Sequence, residues 1–328
     1  MTWDVDYLRD NRDENMGFLS KTLLPDGTEI PGTNFDYNYL QHRKVDVVSS
    51  ALDFILPFEK YKITAGAKVS FTNTRNGINY DTSDPTLVQD DYFRYKEQIY
   101  ALYADYSREF SERFSMQLGL RMEHTRTTGI SEAKDTEDKH DYTRLFPTVY
   151  LLYSPTDGHA LNFSFSNRIS RPSQNMVNPF PFYQNKYTYA CGREDLKPSY
   201  TYNAELGYTL KNNFNVSAYY SYSDDVFFQV VDLDAETNVT SFLWENFMQT
   251  HAFGLNNSYT FRTKWLQTYA QHGVSYRRTT SSAATTSPEE KGWAYNASLR
   301  NTFFFNEKKT LLATLSSSYS SRQYQASI

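Results

Sequence analysis

Apolar and polar residues alternate along much of this chain. In residues 61–71, Tyr61, Ile63, Ala65, Ala67, Val69 and Phe71 share one parity. Lys62, Thr64, Gly66, Lys68 and Ser70 share the other. Successive side chains of a strand point to opposite faces, so this pattern gives one greasy and one polar face. The alternation returns at Phe114, Met116, Leu118, Leu120 and Met122, and at Leu161, Phe163 and Phe165. It returns again at Tyr202, Ala204, Leu206, Tyr208 and Leu210, and at Trp293, Tyr295, Ala297 and Leu299. No segment sustains a helical period. The pattern predicts thirteen strands, near 2–9, 43–56, 61–74, 92–109, 112–127, 143–154, 158–170, 200–211, 213–231, 239–262, 265–280, 291–305 and 309–325.

The predicted connections alternate in length. Short ones are PFEK (57–60), a turn near Phe110 and Ser111, SPTDG (154–158), KNN (211–213), RTKW (262–265) and FNEKK (305–309). Long ones are 10–42, 75–91, 128–142, 171–199, the shorter 232–238, and 281–290. Tight turns at one end and long loops at the other suit an antiparallel transmembrane β-barrel of a Gram-negative outer membrane. A soluble β-sandwich has no reason to sort its loops by end. With no repeat of fixed period, propellers and solenoids are disfavoured. The first and last predicted strands both run outward, and such barrels use even strand numbers. The expectation is therefore an incomplete barrel.

Composition sharpens this picture. Tyr (28) and Phe (23) dominate an aromatic fraction of 17%, and disordered chains are poor in aromatics. The mean hydropathy of -0.66 fits strands that are greasy on one face only. No stretch approaches the roughly 20 apolar residues of a spanning helix. The net charge of -5 and the lack of a basic cluster argue against a nucleic-acid partner. The opening MTWDVDYLRDNRDEN has no basic region and no apolar core, so it is not a signal peptide. The expectation is that the chain begins inside a longer product.

Residues 168–210 read RISRPSQNMVNPFPFYQNKYTYACGREDLKPSYTYNAELGYTL. This string resembles the signature of the outer-membrane β-barrel family of TonB-dependent receptors. The matching positions are Ser170, Arg171, Pro172, Asn178, Pro179, Phe180, Gly192, Leu196, Lys197, Pro198, Glu205, Leu206, Gly207 and Tyr208. The sequence departs at Glu194-Asp195, where the family has Asn-Pro, and at Ser199, where it has Glu. A looser likeness runs through 99–110, 116–125 and 145–155. The resemblance implies part of a 22-stranded barrel (residues 1–328) whose plug domain lies elsewhere. It also implies nutrient import powered through the TonB system, with lipid, the plug and a surface lipoprotein as partners. Glycans, siderophores and cobalamin are the implied cargo classes. Two readings compete with it: a plug-free passive pore, and a soluble carbohydrate-binding β-protein.

Pro172, Pro179, Pro181 and Pro198 lack a ladder donor, which predicts that 171–199 is a loop. Its aromatics Phe180, Phe182, Tyr183, Tyr187 and Tyr189 suit stacking on a ligand at the barrel mouth. Packing of the loop on itself is the commoner role of such clusters. Lys62, Lys68, Arg121, Glu123, Glu205 and Arg300, with Asn162 and Asn203, are predicted to face the lumen, because charge on the lipid side is costly. They would contact a plug, line a path, or pair across strands. The acidic stretches 131–141 and 232–236 lack a Ca²⁺-loop pattern and read as solvated loops. The six histidines (42, 124, 140, 159, 251, 272) show no metal-ligand spacing. An outer-membrane hydrolase would need a Ser–His pair, for example Ser107 with His124, and no motif supports one. The sequence thus predicts no catalysis, no metal and no cofactor.

Overall fold

The computed structural model describes residues 1–33, 35–82, 90–283 and 286–322. Its first seven strands are β1 (Thr2–Ser20), β2 (Phe35–Pro57), β3 (Tyr61–Thr82), β4 (Asp91–Ser111), β5 (Phe114–Ser131), β6 (Thr136–Tyr153) and β7 (His159–Ser170). One helical turn, α1 (Gln174–Val177), and two short strands, β8 (Pro181–Asn185) and β9 (Thr188–Cys191), follow. Six long strands complete the chain: β10 (Ser199–Leu210), β11 (Phe214–Asp234), β12 (Val239–Arg262), β13 (Leu266–Ser281), β14 (Glu289–Phe304) and β15 (Leu312–Ser320). Apart from β8 and β9, the strands pair antiparallel in chain order as a thirteen-stranded meander. Among the described residues β1 pairs only with β2, and β15 only with β14, so the sheet is not closed.

Alternation puts a continuous apolar band on one face. In register across six strands lie Leu151, Phe163, Leu206, Ala218, Leu255 and Val274. Another row joins Leu52, Ala67, Leu102, Met122 and Leu145. None of these side chains is buried, and the larger leucines stand exposed: Leu206 and Leu102 each at 56%, Leu145 at 54%. Exposed leucines in unbroken rows would be an aggregation hazard in water, and are what hydrocarbon requires. On β5 the band runs from Phe114 to Met122, matching the roughly 9–11 residues that cross a bilayer. It is edged by aromatic rows. Phe58, Tyr61, Tyr106, Phe110 and Phe114 meet at the turn end. Tyr100 sits beside His124, and Tyr222 stacks on His251, at the far end. Leu206→Arg should therefore destabilise the membrane-inserted protein by about 2–4 kcal/mol. Glu205→Gln, one residue away on the opposite face, should change little. Urea unfolding in lipid vesicles checks this, and equal tolerance of both changes would remove the lipid-facing assignment.

Two expectations need correction. Several predicted long loops are strand. β1 continues to Ser20, β2 starts at Phe35, β3 reaches Thr82, and β5 and β6 approach within the turn 132–135. Among the described residues, the connections left at that end are 21–33, 90, 132–135, 171–198, 235–238, 282–283 and 286–288. What distinguishes this end is strand extension beyond the apolar band, more than loop length. The turn placed near Phe110 and Ser111 lies at Glu112–Arg113. The predicted end of the last strand, beyond Arg322, lies outside the described residues.

Candidate ligand-capture site

The predicted loop 171–199 is a folded strap, which corrects its reading as plain loop. Pro181 is the first residue of β8, a position where a missing N–H is tolerated. β8 pairs antiparallel with β9, and β9 lies parallel to β12 through Thr188–Cys191 and Thr240–Leu243. At its other flank the strap packs on β2 and β3. The Tyr183 ring lies 5.3 Å from that of Tyr37, and Phe182 lies 6.1 Å from Tyr39. The Tyr80 hydroxyl donates to the Pro181 carbonyl at 3.2 Å. Eight strand steps separate β2 from β12 in the sheet, roughly 38 Å of arc at about 4.8 Å per step. One short segment touching both walls requires the sheet to curl around it.

The strap's base rests on a charged cluster. Arg171 donates to Glu123 Oε2 at 2.6 Å and to Thr125 Oγ1 at 3.3 Å, and approaches Glu97 at 3.8 Å. Glu123 also accepts from Arg121 at 2.5 Å, and Arg121 lies over the Tyr103 ring. The Glu123 side chain is only 10% exposed and that of Arg171 22%, so each charge depends on its partners. The strap's middle is a backbone knot. Asn178 is fully buried, and its Oδ1 accepts from the Phe180 N–H at 3.2 Å. Gly192 N–H donates to the Asn178 carbonyl at 2.9 Å, and Arg193 N–H to that of Met176 at 2.8 Å. Further along, Asn246 of β12 clasps Lys197 through both of its backbone groups, at 2.8 and 2.9 Å. Arg193 reaches Glu245 at 2.7 Å, and Leu196 is buried in the aromatic core. Pro172 and Pro198 flank a small pocket with Arg171, Glu97 and Tyr142.

Between strap and wall lies a cavity of about 450 Å³. Arg12, Glu14, Tyr39, Gln41 and Arg43 line one side, and Phe182, Tyr183, Gln184 and Trp244 the other. Of the five predicted aromatics, Phe180 is buried, Phe182 and Tyr183 face this cavity, Tyr189 packs on Tyr183, and Tyr187 is 54% exposed. Burial pushes the phenols of Tyr37 and Tyr80, in the aromatic cluster beneath the strap, far above the ordinary tyrosine range. Burial likewise raises the Cys191 thiol.

Sequence reading missed Tyr37, Tyr39 and Trp244. The first two sit in the alternating FDYNYL (35–40), a signal hidden by treating that stretch as loop. Trp244 had no local signal. The six charged residues predicted for the lumen all lie opposite the apolar band. Only Arg121 and Glu123 come together, and Lys62, Lys68, Glu205 and Arg300 stand exposed and apart. Ser107 pairs with Gln117 and His124 with Tyr100, which puts them on opposite faces. They cannot form a catalytic pair. Among the described residues no group of three or more His, Cys, Asp or Glu is placed to hold a metal.

An open antiparallel wall, greasy outside and strapped inside, defines an outer-membrane β-barrel. Residues 1–328 match the outer membrane protein β-barrel family, and the chain belongs to it. It is an outer-membrane protein. Among solved structures it is similar to the copper transporter OprC, at 12% identity and a TM-score of 0.57, over 90% of this chain and 52% of that one. It is also similar to the ferripyoverdine receptor of the outer membrane of Pseudomonas aeruginosa (14%, TM-score 0.47, 97% and 47%). A third is the ferric yersiniabactin uptake receptor FyuA from Yersinia pestis (12%, 0.45, 97% and 50%). The chain spans about half the length of these proteins, which are transporters and receptors, not enzymes. No curated protein sequence matches it.

Proposed function

We propose that this chain is the wall of a TonB-dependent uptake receptor, contributing one barrel domain of a larger, plug-gated barrel. Ligand would be captured at the outward end, in the cavity between the strap and β1, β2 and β12. It would then pass along a lumen lined by the polar face, where the charged residues opposite the band would meet the plug. The observation that carries this reading is the strap. It crosses the mouth and sets its Phe182 and Tyr183 against the wall's Tyr39 and Trp244, beside Arg12 and Arg43, a built recess that free diffusion does not require. Rings flanked by guanidinium groups suit a planar or anionic nutrient, such as a ferric chelate.

The test is uptake by cells expressing the parent gene, offered ferric siderophores, cobalamin and oligosaccharides, with and without TonB. The expected result is at least one nutrient whose uptake needs both the parent and TonB. Trp244→Ala should weaken its binding about tenfold while the barrel still assembles, as removal of an aromatic anchor does. Diffusion of small sugars that is independent of TonB would instead indicate a passive pore.

A further inference from the structure

On the outward side of the apolar band, three basic residues stand directly opposite one another on neighbouring strands. Lys44 on β2 is in register with Arg75 on β3, and Arg75 with Arg94 on β4. All three share the face of the band. Lys44 follows Leu52 and Val48 on the even positions of β2, Arg75 follows Phe71 on β3, and Arg94 follows Leu102 and Tyr100 on β4. Lys96, two residues from Arg94, points the same way. Like charges directly opposite in a ladder repel, so the row needs a counter-charge.

Asp46 offers Lys44 a charge attraction while bound to Arg9, but among the described residues no carboxylate forms an ion pair with Arg75 or Arg94. The nearby carboxylates on this face are engaged elsewhere: Asp46 with Arg9 at 2.7 Å, and Asp141 with Arg126 at 2.8 Å. Glu137 is held by Lys139 at 2.8 Å. Asp90 bonds to Asn79 and to the Tyr80 amide. Arg94 leans on the Tyr92 ring, and its Nε is buried without a hydrogen-bond partner. The far wall behaves differently, since Arg278 and Lys291 converge there on Glu289.

We propose that the Lys44–Arg75–Arg94 row binds the phosphorylated headgroup of an outer-leaflet lipid. The height is right. Arg75 lies four residues beyond Phe71, the last ring of the band on β3, about 10 Å higher for a strand tilted near 45°. That is headgroup depth for a lipid whose chains lie on the band below. The chemistry is right as well, because guanidinium groups take phosphate oxygens in a bidentate fork. The occupant is a lipid and not a free anion, because the row continues directly from the hydrocarbon-facing surface.

The test uses the full parent protein in zwitterionic detergent, titrated with diphosphorylated lipid A and with the same lipid enzymatically dephosphorylated. Wild type should bind the phosphorylated form at least tenfold more tightly. Lys44→Gln/Arg75→Gln/Arg94→Gln should abolish that preference. Lys60→Gln/Lys264→Gln/Lys308→Gln, the same charge change in turns at the other end, should keep it. The row variant should be at least as heat-resistant as wild type without lipid A, because repulsion is removed. It should fail to gain the heat resistance that lipid A gives wild type. No preference between the two lipids, an unchanged preference in the row variant, or displacement of lipid A by equimolar inorganic phosphate would each overturn the proposal.

Discussion

Arg171→Ala is expected to lower the stability of the inserted protein by about 2–3 kcal/mol. Arg171 is the cation that lets the Glu123 and Glu97 carboxylates share one patch of the inner face. Arg121 still holds Glu123 in the variant, which keeps the cost below that of a wholly orphaned buried charge. The loss should be local first. The strap holds trypsin sites at Lys186 and Arg193, and these should be cleaved sooner than the strands. Adding Glu97→Gln should recover about 1 kcal/mol, because Arg171 is the cation paired with Glu97 and the charge left uncompensated is then gone. Urea titration with timed proteolysis reads all of this. Unchanged stability with a protected strap would mean that Arg171 does not anchor it.

Gly192→Ala is the second large effect. A Cβ there would sit 2.2 Å from the Asn178 carbonyl oxygen and 2.7 Å from both the Asn178 nitrogen and the Met176 oxygen. All three are backbone atoms, so no side chain can swing away. The knot between α1 and β9 must open, at about 3 kcal/mol by analogy with the upper range of overpacked cores. Gly77→Ala is the control, since its nearest neighbour would be Tyr92 Cδ2 at an ordinary 3.6 Å. Thermal unfolding should separate the two variants clearly, and Gly192→Ala should also lose ligand capture. Equal melting would show that the knot is dispensable.

The same physics explains what could be read in advance. The band strands were legible because lipid on one side and a polar interior on the other force strict alternation. The extensions were not. In Asp10–Asn15 paired with Leu40–Val45, the ladder continues unbroken while the residues on both faces are mostly polar. Nothing in such a sequence marks it as strand. The family-like string was legible as a string, and its proline content gave the wrong local structure for β8. Its purpose shows only in three dimensions: Arg171 finds Glu123 across 48 residues and Lys197 finds Asn246 across 49. Glu123 was marked as a polar-face residue, and alternation has no means of naming its partner.

The central claim is that the strap is fixed to the wall of an outer-membrane barrel. Cys191 is the only cysteine and is in parallel register with Leu243 of β12. Neighbouring strands lie about 4.8 Å apart, within disulfide range. Leu243→Cys, expressed in the parent and oxidised with copper phenanthroline in intact outer membranes, should form an intramolecular disulfide with Cys191. It should do so without loss of the folded, heat-modifiable form. Two thiols that stay reduced and both react with maleimide, in a protein still folded in the membrane, would contradict the account.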